Sequence, residues 1–169
     1  MYSQTKRNNK IAIIVPLMIL LLVTSAVSHA KSSSNDEKTC LAQVIYQEAR
    51  GESQSGKLAV AKIVLNRKNH KKFPKTICTV VNQINYAGKK KYCQFSWICN
   101  KQKIDISSNS WEDSLSLSHA IISNKVSLPK FGPDVLFFRS TSSRQSFGRG
   151  YRLVSVMGHA KFYEKHFSS

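Results

Sequence analysis

Acidic residues are scarce in this chain: 9 Asp and Glu stand against 26 Lys and Arg among 169 residues, a formal charge of +17. The shortage leaves few candidates for chemistry that needs two carboxylates. Other patterns are missing altogether. No pair of cysteines has C-x-x-C spacing, and His29, His70, His119, His159 and His166 lack ligand-like spacing, so no zinc site, other metal or cofactor is expected. No G-x-S-x-G occurs and the cysteines are expected to be oxidised, which leaves a Ser-His-Asp or Cys-His nucleophile without support. No internal repeat is present. With 41% hydrophobic residues, the chain suits one domain with a sizeable core.

The excess of cations predicts attraction to a polyanion: nucleic acid, an anionic membrane surface or anionic wall polymer. The N-terminus chooses among these. Lys6, Arg7 and Lys10 lead into an apolar run from Ile11 to about Val27, followed by Ser28-His29-Ala30, a small-x-small pattern. Residues 1–30 read as a secretory signal peptide cleaved after Ala30, with an uncleaved membrane anchor as the alternative. Either way the remainder is exported, to the periplasm, the cell wall or the medium. A nucleic-acid partner is therefore not expected. Contact with the membrane is expected only through the signal segment if it stays attached, and the chain is expected to be a monomer. The four cysteines, Cys40, Cys78, Cys93 and Cys99, fit export and suggest two disulfides. Of three possible pairings the favoured one is Cys93–Cys99, closing a short loop, with Cys40–Cys78 tying the first helix to a later segment.

Residues 31–38 are polar and read as a disordered spacer, and residues 39–169 as the functional domain. Thr39 can cap a helix in which Leu41, Val44, Ile45 and Glu48 share one face, with Gly51 as its stop. Ser53 or Ser55 can start a second helix, apolar nearly all round from Leu58 to Leu65 and so expected to be central, with Asn66 to Lys72 as a polar exit. Thr76 to Gln83 reads as a short helix, Asn85 to Lys91 as a basic loop. Ser110 opens a helix whose first turn carries Glu112 and Asp113, with Trp111, Leu115, Ser118, His119 and Ile122 inward. Val135 to Phe138 and Arg152 to Met157 read as strands, joined by a mobile link from Ser140 to Gly150.

Glu48 is the outstanding candidate for chemistry. A carboxylate in register with an apolar stripe is carried toward the core, and partial burial raises its pKa. A carboxyl that keeps its proton near neutrality can donate it to a glycosidic oxygen. The plain alternative is an exposed Glu at a frayed helix end, paired with Arg50 or Lys57. Glu52, one turn on, is either a partner carboxylate or an N-terminal charge for the second helix. Gln94-Phe95-Ser96-Trp97 combines an amide, a hydroxyl and two aromatics, which suits the apolar faces and polar edges of sugars, or simply a disulfide-closed loop packed on the core. His159, with Phe162 and Tyr163, could line a pocket or serve only as a structural hydrogen-bonding residue.

The stretch Ile45-Tyr46-Gln47-Glu48-Ala49-Arg50-Gly51-Glu52 resembles the E-A-R-G-E signature of the bacterial cell-wall hydrolases typified by spore cortex-lytic enzymes. The resemblance continues through Gly56 to Ala61, Val64 to Arg67, Phe73-Pro74, Cys78, Cys93 to Trp97, Leu136 to Phe138 and Gly158 to Tyr163. It implies an α+β, mainly helical, lysozyme-like domain with a small β part near the C-terminus. It also implies peptidoglycan as substrate, Glu48 as catalytic acid, and a groove that includes Gln94, Phe95 and Ser96. The expected reaction is cleavage of the β-1,4 bond between N-acetylmuramic acid and N-acetylglucosamine. A lytic transglycosylase route needs one carboxylate; a water-using glycosidase would call on a second, for which Glu52 is the candidate. A non-catalytic module that binds wall glycan or another polyanion is the reading from a different class. The chain departs from the family at Gln47, where Gly is usual, at Phe138-Arg139-Ser140, and in the Arg-rich stretch to Arg152.

Overall fold

Residues 36–49 form the first helix, α1, which buries Leu41, Val44, Ile45 and Ala49 along one side. The structure, a computed structural model, describes Ser34 and residues 36–167. The expected signal segment, residues 1–30, lies outside the described residues. Residues 36–38, expected to end a spacer, are helical, so α1 begins before Thr39. The reason is Glu37. Its carboxylate accepts from the backbone N–H groups of Ile77 (2.8 Å) and Cys78 (3.3 Å), the free donors at the start of helix α3 (Ile77–Val81). The Cys40–Cys78 disulfide fixes the same junction covalently.

Helix α2 (Gln54–Asn69) starts at Ser53, whose hydroxyl accepts from Gly56 N–H. It buries Ala59, Val60, Ala61, Ile63 and Val64, so it is the central element of the core. It also runs into the expected polar exit, ending at Asn69. Asn66 and Arg67 stay helical and buried because strand β3 (Val135–Ser140) and the turn before it supply acceptors. Asn66 Nδ2 donates to the Gly132 and Val135 carbonyls at 2.8 and 2.9 Å, and Arg67 Nε to the Leu136 carbonyl at 2.8 Å.

Helix α3 opens with a capping box between Thr76 and Thr79. The expected basic loop is instead an antiparallel hairpin, β1 (Ile84–Ala87) and β2 (Lys90–Cys93). Its two-residue turn has Gly88 at φ +59, the left-handed value demanded at the first central position of a tight hairpin turn. Helix α4 (Ser96–Cys99) follows, joined to the hairpin's end by Cys93–Cys99. Helix α5 (Asn109–Ile122), capped by Ser108, turns Ser114, Ser118 and Ile121 inward and leaves His119 exposed. The inner face is thus rotated from the one expected. Small hydroxyls fit there because each finds a carbonyl: Ser114 donates to Ser110 and Ser118 to Lys38.

Strands β3, β4 (Tyr151–Met157) and β5 (Ala160–Lys165) form an antiparallel sheet of order β3-β5-β4. Val135, Leu136 and Phe162 carry it onto the helical core. The fold is α+β and mainly helical, with its larger sheet at the C-terminal end. Among the described residues no helix is long and apolar enough to cross a membrane.

Candidate active site

Glu48 sits on the last turn of α1, facing a cleft of about 370 Å3. The walls come from Gln94, Phe95 and Ser96 on one side, and from Phe137 to Ser140 of β3 with Phe147 on the other. Burial pushes the Glu48 carboxyl above its ordinary pKa. Two weaker influences oppose it: a 2.9 Å hydrogen bond from the Trp97 indole N–H to Oε1, and the positive charge of Arg67. Burial prevails, so this carboxyl holds its proton to higher pH than a surface glutamate. One oxygen is fixed by Trp97, and the group is positioned to pass a proton to whatever enters the cleft.

Arg67 forms the floor. It is 3% exposed, and burial lowers its guanidinium to about 10, which leaves it cationic at neutral pH. The rings of Phe73, Phe95 and Phe137 surround it at 5.4–5.7 Å. With the Gln94 amide turned so that its oxygen faces Arg67, the assignment its donors require, that oxygen accepts from both terminal nitrogens at 3.2 Å. One buried cation therefore organises both walls: it holds Gln94 and Phe95 on one side and the Leu136 carbonyl and Phe137 on the other.

The structure gathers Glu48, Gln94, Phe95 and Ser96 around this cleft. Trp97 is buried behind Glu48 as its hydrogen-bond donor and does not line the cleft. Tyr163 packs edge-on against Phe147, with ring centroids 4.9 Å apart, so it supports the far wall. Glu52 and His159 meet each other elsewhere. The Glu52 carboxylate accepts from the His159 backbone N–H (2.9 Å) and lies 3.2 Å from His159 Nδ1, holding the β4–β5 turn. Phe138, Arg139 and Ser140 all line the cleft, and Gln47 reaches the Lys103 carbonyl. The cleft also takes in Arg67, Phe137 and Phe147, none of them expected from the sequence as site residues. For Arg67 one signal was present, an arginine continuing the register of a helix apolar all round. Among the described residues no group of three His, Cys, Asp or Glu is placed to hold a metal ion.

The sequence pattern of the cell wall hydrolase family matches residues 51–163, well over half of the chain. The chain belongs to this family. Among relatives of the cell wall hydrolase, the spore cortex-lytic enzyme of Bacillus subtilis (strain 168) is 44% identical over 48 residues, which is 28% of this chain and 16% of that protein. The spore cortex-lytic enzyme of Oceanobacillus iheyensis is 38% identical over 58 residues, 34% of this chain and 21% of that protein. The match thus spans less than a quarter of either relative's length. Two solved structures share the fold. The catalytic domain of the Bacillus cereus SleB protein superposes with a TM-score of 0.50 at 19% identity, over 75% of this chain and 88% of that one. The catalytic domain of the germination-specific lytic transglycosylase SleB from Bacillus anthracis gives 0.50 at 18%, over 75% and 92%.

Proposed function

We propose that this cell wall hydrolase cleaves the glycan strands of peptidoglycan as an exported lytic transglycosylase, with Glu48 as its acid and base. The bond is the β-1,4 linkage between N-acetylmuramic acid and N-acetylglucosamine. The observation that carries the reading is that Glu48 is the one acid among the residues lining the cleft, and that burial raises its pKa. Protonated Glu48 gives its proton to the glycosidic oxygen as the C1–O bond breaks and positive charge develops on the muramic ring. The ring's own 6-hydroxyl oxygen then bonds to C1, and the Glu48 carboxylate takes that hydroxyl's proton. The product is a 1,6-anhydro ring, and Glu48 is protonated again.

Water-dependent cleavage with a second carboxylate is less well supported, because Glu52 has both oxygens committed to His159. The Gln94 and Ser96 polar groups suit a sugar's polar edge. The half-buried rings of Phe137 and Phe147 offer apolar surface across the cleft for its apolar face.

Mass spectrometry of the fragments released from purified peptidoglycan tests the reading. Anhydro-muramic ends are expected, falling on the order of a hundredfold or more in Glu48→Gln. Reducing ends that vanish in Glu52→Gln would replace it with hydrolysis. Release of no fragments by correctly oxidised protein would leave only a wall-binding module.

A further inference from the structure

The β1–β2 hairpin has no structural reason for its composition. Three of the seven exposed large apolar side chains among the described residues lie on it: Ile84 (41% exposed), Tyr86 (67%) and Tyr92 (47%). Gly88 is followed directly by Lys89, Lys90 and Lys91, all exposed. Register places Tyr86 opposite Lys91 and Tyr92 opposite Asn85. Paired residues share a face and successive ones alternate, so one face carries Tyr86 with Lys91 and the other Tyr92 with Lys90. Each side of the hairpin thus presents an aromatic ring beside an ammonium group, and neither side packs against the core.

Two further features give the hairpin an occupant. Residues 53–104, which contain it, hold twelve Lys or Arg and no Asp or Glu, so the segment itself carries charge of one sign. The hairpin is also anchored at the cleft. Cys93 at its end is bonded to Cys99, Gln94 N–H donates to the Gln83 carbonyl at 2.9 Å, and the next side chains, Gln94 and Phe95, are cleft wall. An isolated two-stranded hairpin is marginal in water, and this anchoring preorganises it.

We infer that the β1–β2 hairpin is a docking finger for anionic wall glycopolymer, a chain bearing repeated phosphate or carboxylate groups on sugar or polyol units. The lysines meet the anionic groups as mobile point charges, and the tyrosine rings meet the apolar faces of the repeating units. Docking there places the Glu48 cleft beside the glycan strands to which such polymer is attached. The inference rests on a bacterial wall being the substrate, but it concerns attachment, and its test reads binding rather than cleavage.

The test uses the Glu48→Gln form, which leaves the wall intact, in sedimentation with purified walls before and after chemical removal of the anionic polymer. Changing Lys89, Lys90 and Lys91 together to Gln is expected to weaken binding to polymer-bearing walls on the order of tenfold or more. The pair Tyr86→Ser and Tyr92→Ser should weaken it severalfold. Both should leave thermal unfolding unchanged, since these side chains are exposed, and both should matter little on stripped walls. A comparison set, Lys71→Gln, Lys72→Gln and Lys125→Gln, removes the same charge elsewhere. An equal loss in that set would mean that net charge alone drives binding and would overturn the finger. Unchanged binding by the hairpin variants would do the same. Loss on stripped walls of the same size would reassign the hairpin to the glycan itself, and loss confined to anionic phospholipid vesicles would reassign it to a membrane. If the protein with Glu48 intact released no fragments while the hairpin changes still weakened binding, the proposed activity would fall and this inference would stand.

Discussion

The Trp97 indole N–H and the Arg67 charge both favour the ionised form of Glu48, while burial favours the protonated form. Replacing Trp97 with Phe keeps an aromatic ring in the core and removes the hydrogen bond. The folded-state pKa of Glu48 should then rise further, because a bond that stabilised the carboxylate is gone. As a general acid Glu48 works while protonated, so the limb on which cleavage falls with rising pH should move to higher pH. A rate–pH profile of Trp97→Phe beside wild type checks this, and a limb displaced to lower pH would contradict the assignment. Arg67 sets stability as well as charge. Arg67→Met leaves the Leu136 carbonyl and the Gln94 oxygen without their donor and Glu48 without its nearest counter-charge, a loss of about 3 kcal/mol or more for a group this buried. Urea denaturation should show the lower midpoint, with glycan cleavage falling too as both walls lose their common support.

At the scale of elements, the β4–β5 turn is held to the α1–α2 connection by a contact spanning 107 residues of sequence. Gly158 stands at φ +56, and a Cβ added there would lie 1.9 Å from Glu52 Oε2. Gly158→Ala should therefore cost twice: about 1 kcal/mol for left-handed backbone at a residue with a side chain, and about 1 to 2 kcal/mol as Glu52 is driven off His159. A double-mutant cycle separates the two. On a Glu52→Ala background the same change should cost only the first part; full additivity would show that the two residues do not compete for this space. This contact also marks the boundary of what the sequence makes legible. The stripe Leu41, Val44, Ile45, Glu48 and the apolar run of α2 are local periodic signals, and they place the acid on its helix. Glu52's destination is set by a turn far along the chain, and no local pattern encodes it. The β1–β2 hairpin was hidden for the opposite reason. Exposed on both faces, it lacks the alternation of apolar and polar residues that advertises a strand. Arg67 looked like the polar exit of α2 because its partners, the carbonyls of β3 and the Gln94 amide, belong to distant segments.

For the whole molecule, covalent closure and charge act together. Cations repel one another across a chain with a formal charge of +17, and few carboxylates are present to relieve them. The two disulfides offset this by restricting the unfolded chain. Cys40–Cys78 has a sequence separation of 38, and loop-closure entropy gives it about 4 kcal/mol. Cys93–Cys99, with a separation of 6, gives about 2 kcal/mol. Their sum, about 6 kcal/mol, is comparable to the entire stability of many single domains. Reduction should therefore bring the protein to the edge of unfolding, most sharply at low ionic strength, where repulsion between cations is least screened. Replacing Cys40 and Cys78 with Ala should reproduce most of the lost stability. Replacing Cys93 and Cys99 should cost less, but it frees the hairpin and α4 that frame the cleft, so cleavage should suffer more than folding. Thermal unfolding and fragment release, followed side by side for the two Ala pairs, decide the point. The opposite ranking would mean that the short loop, rather than the tie between α1 and α3, carries the stability of the fold.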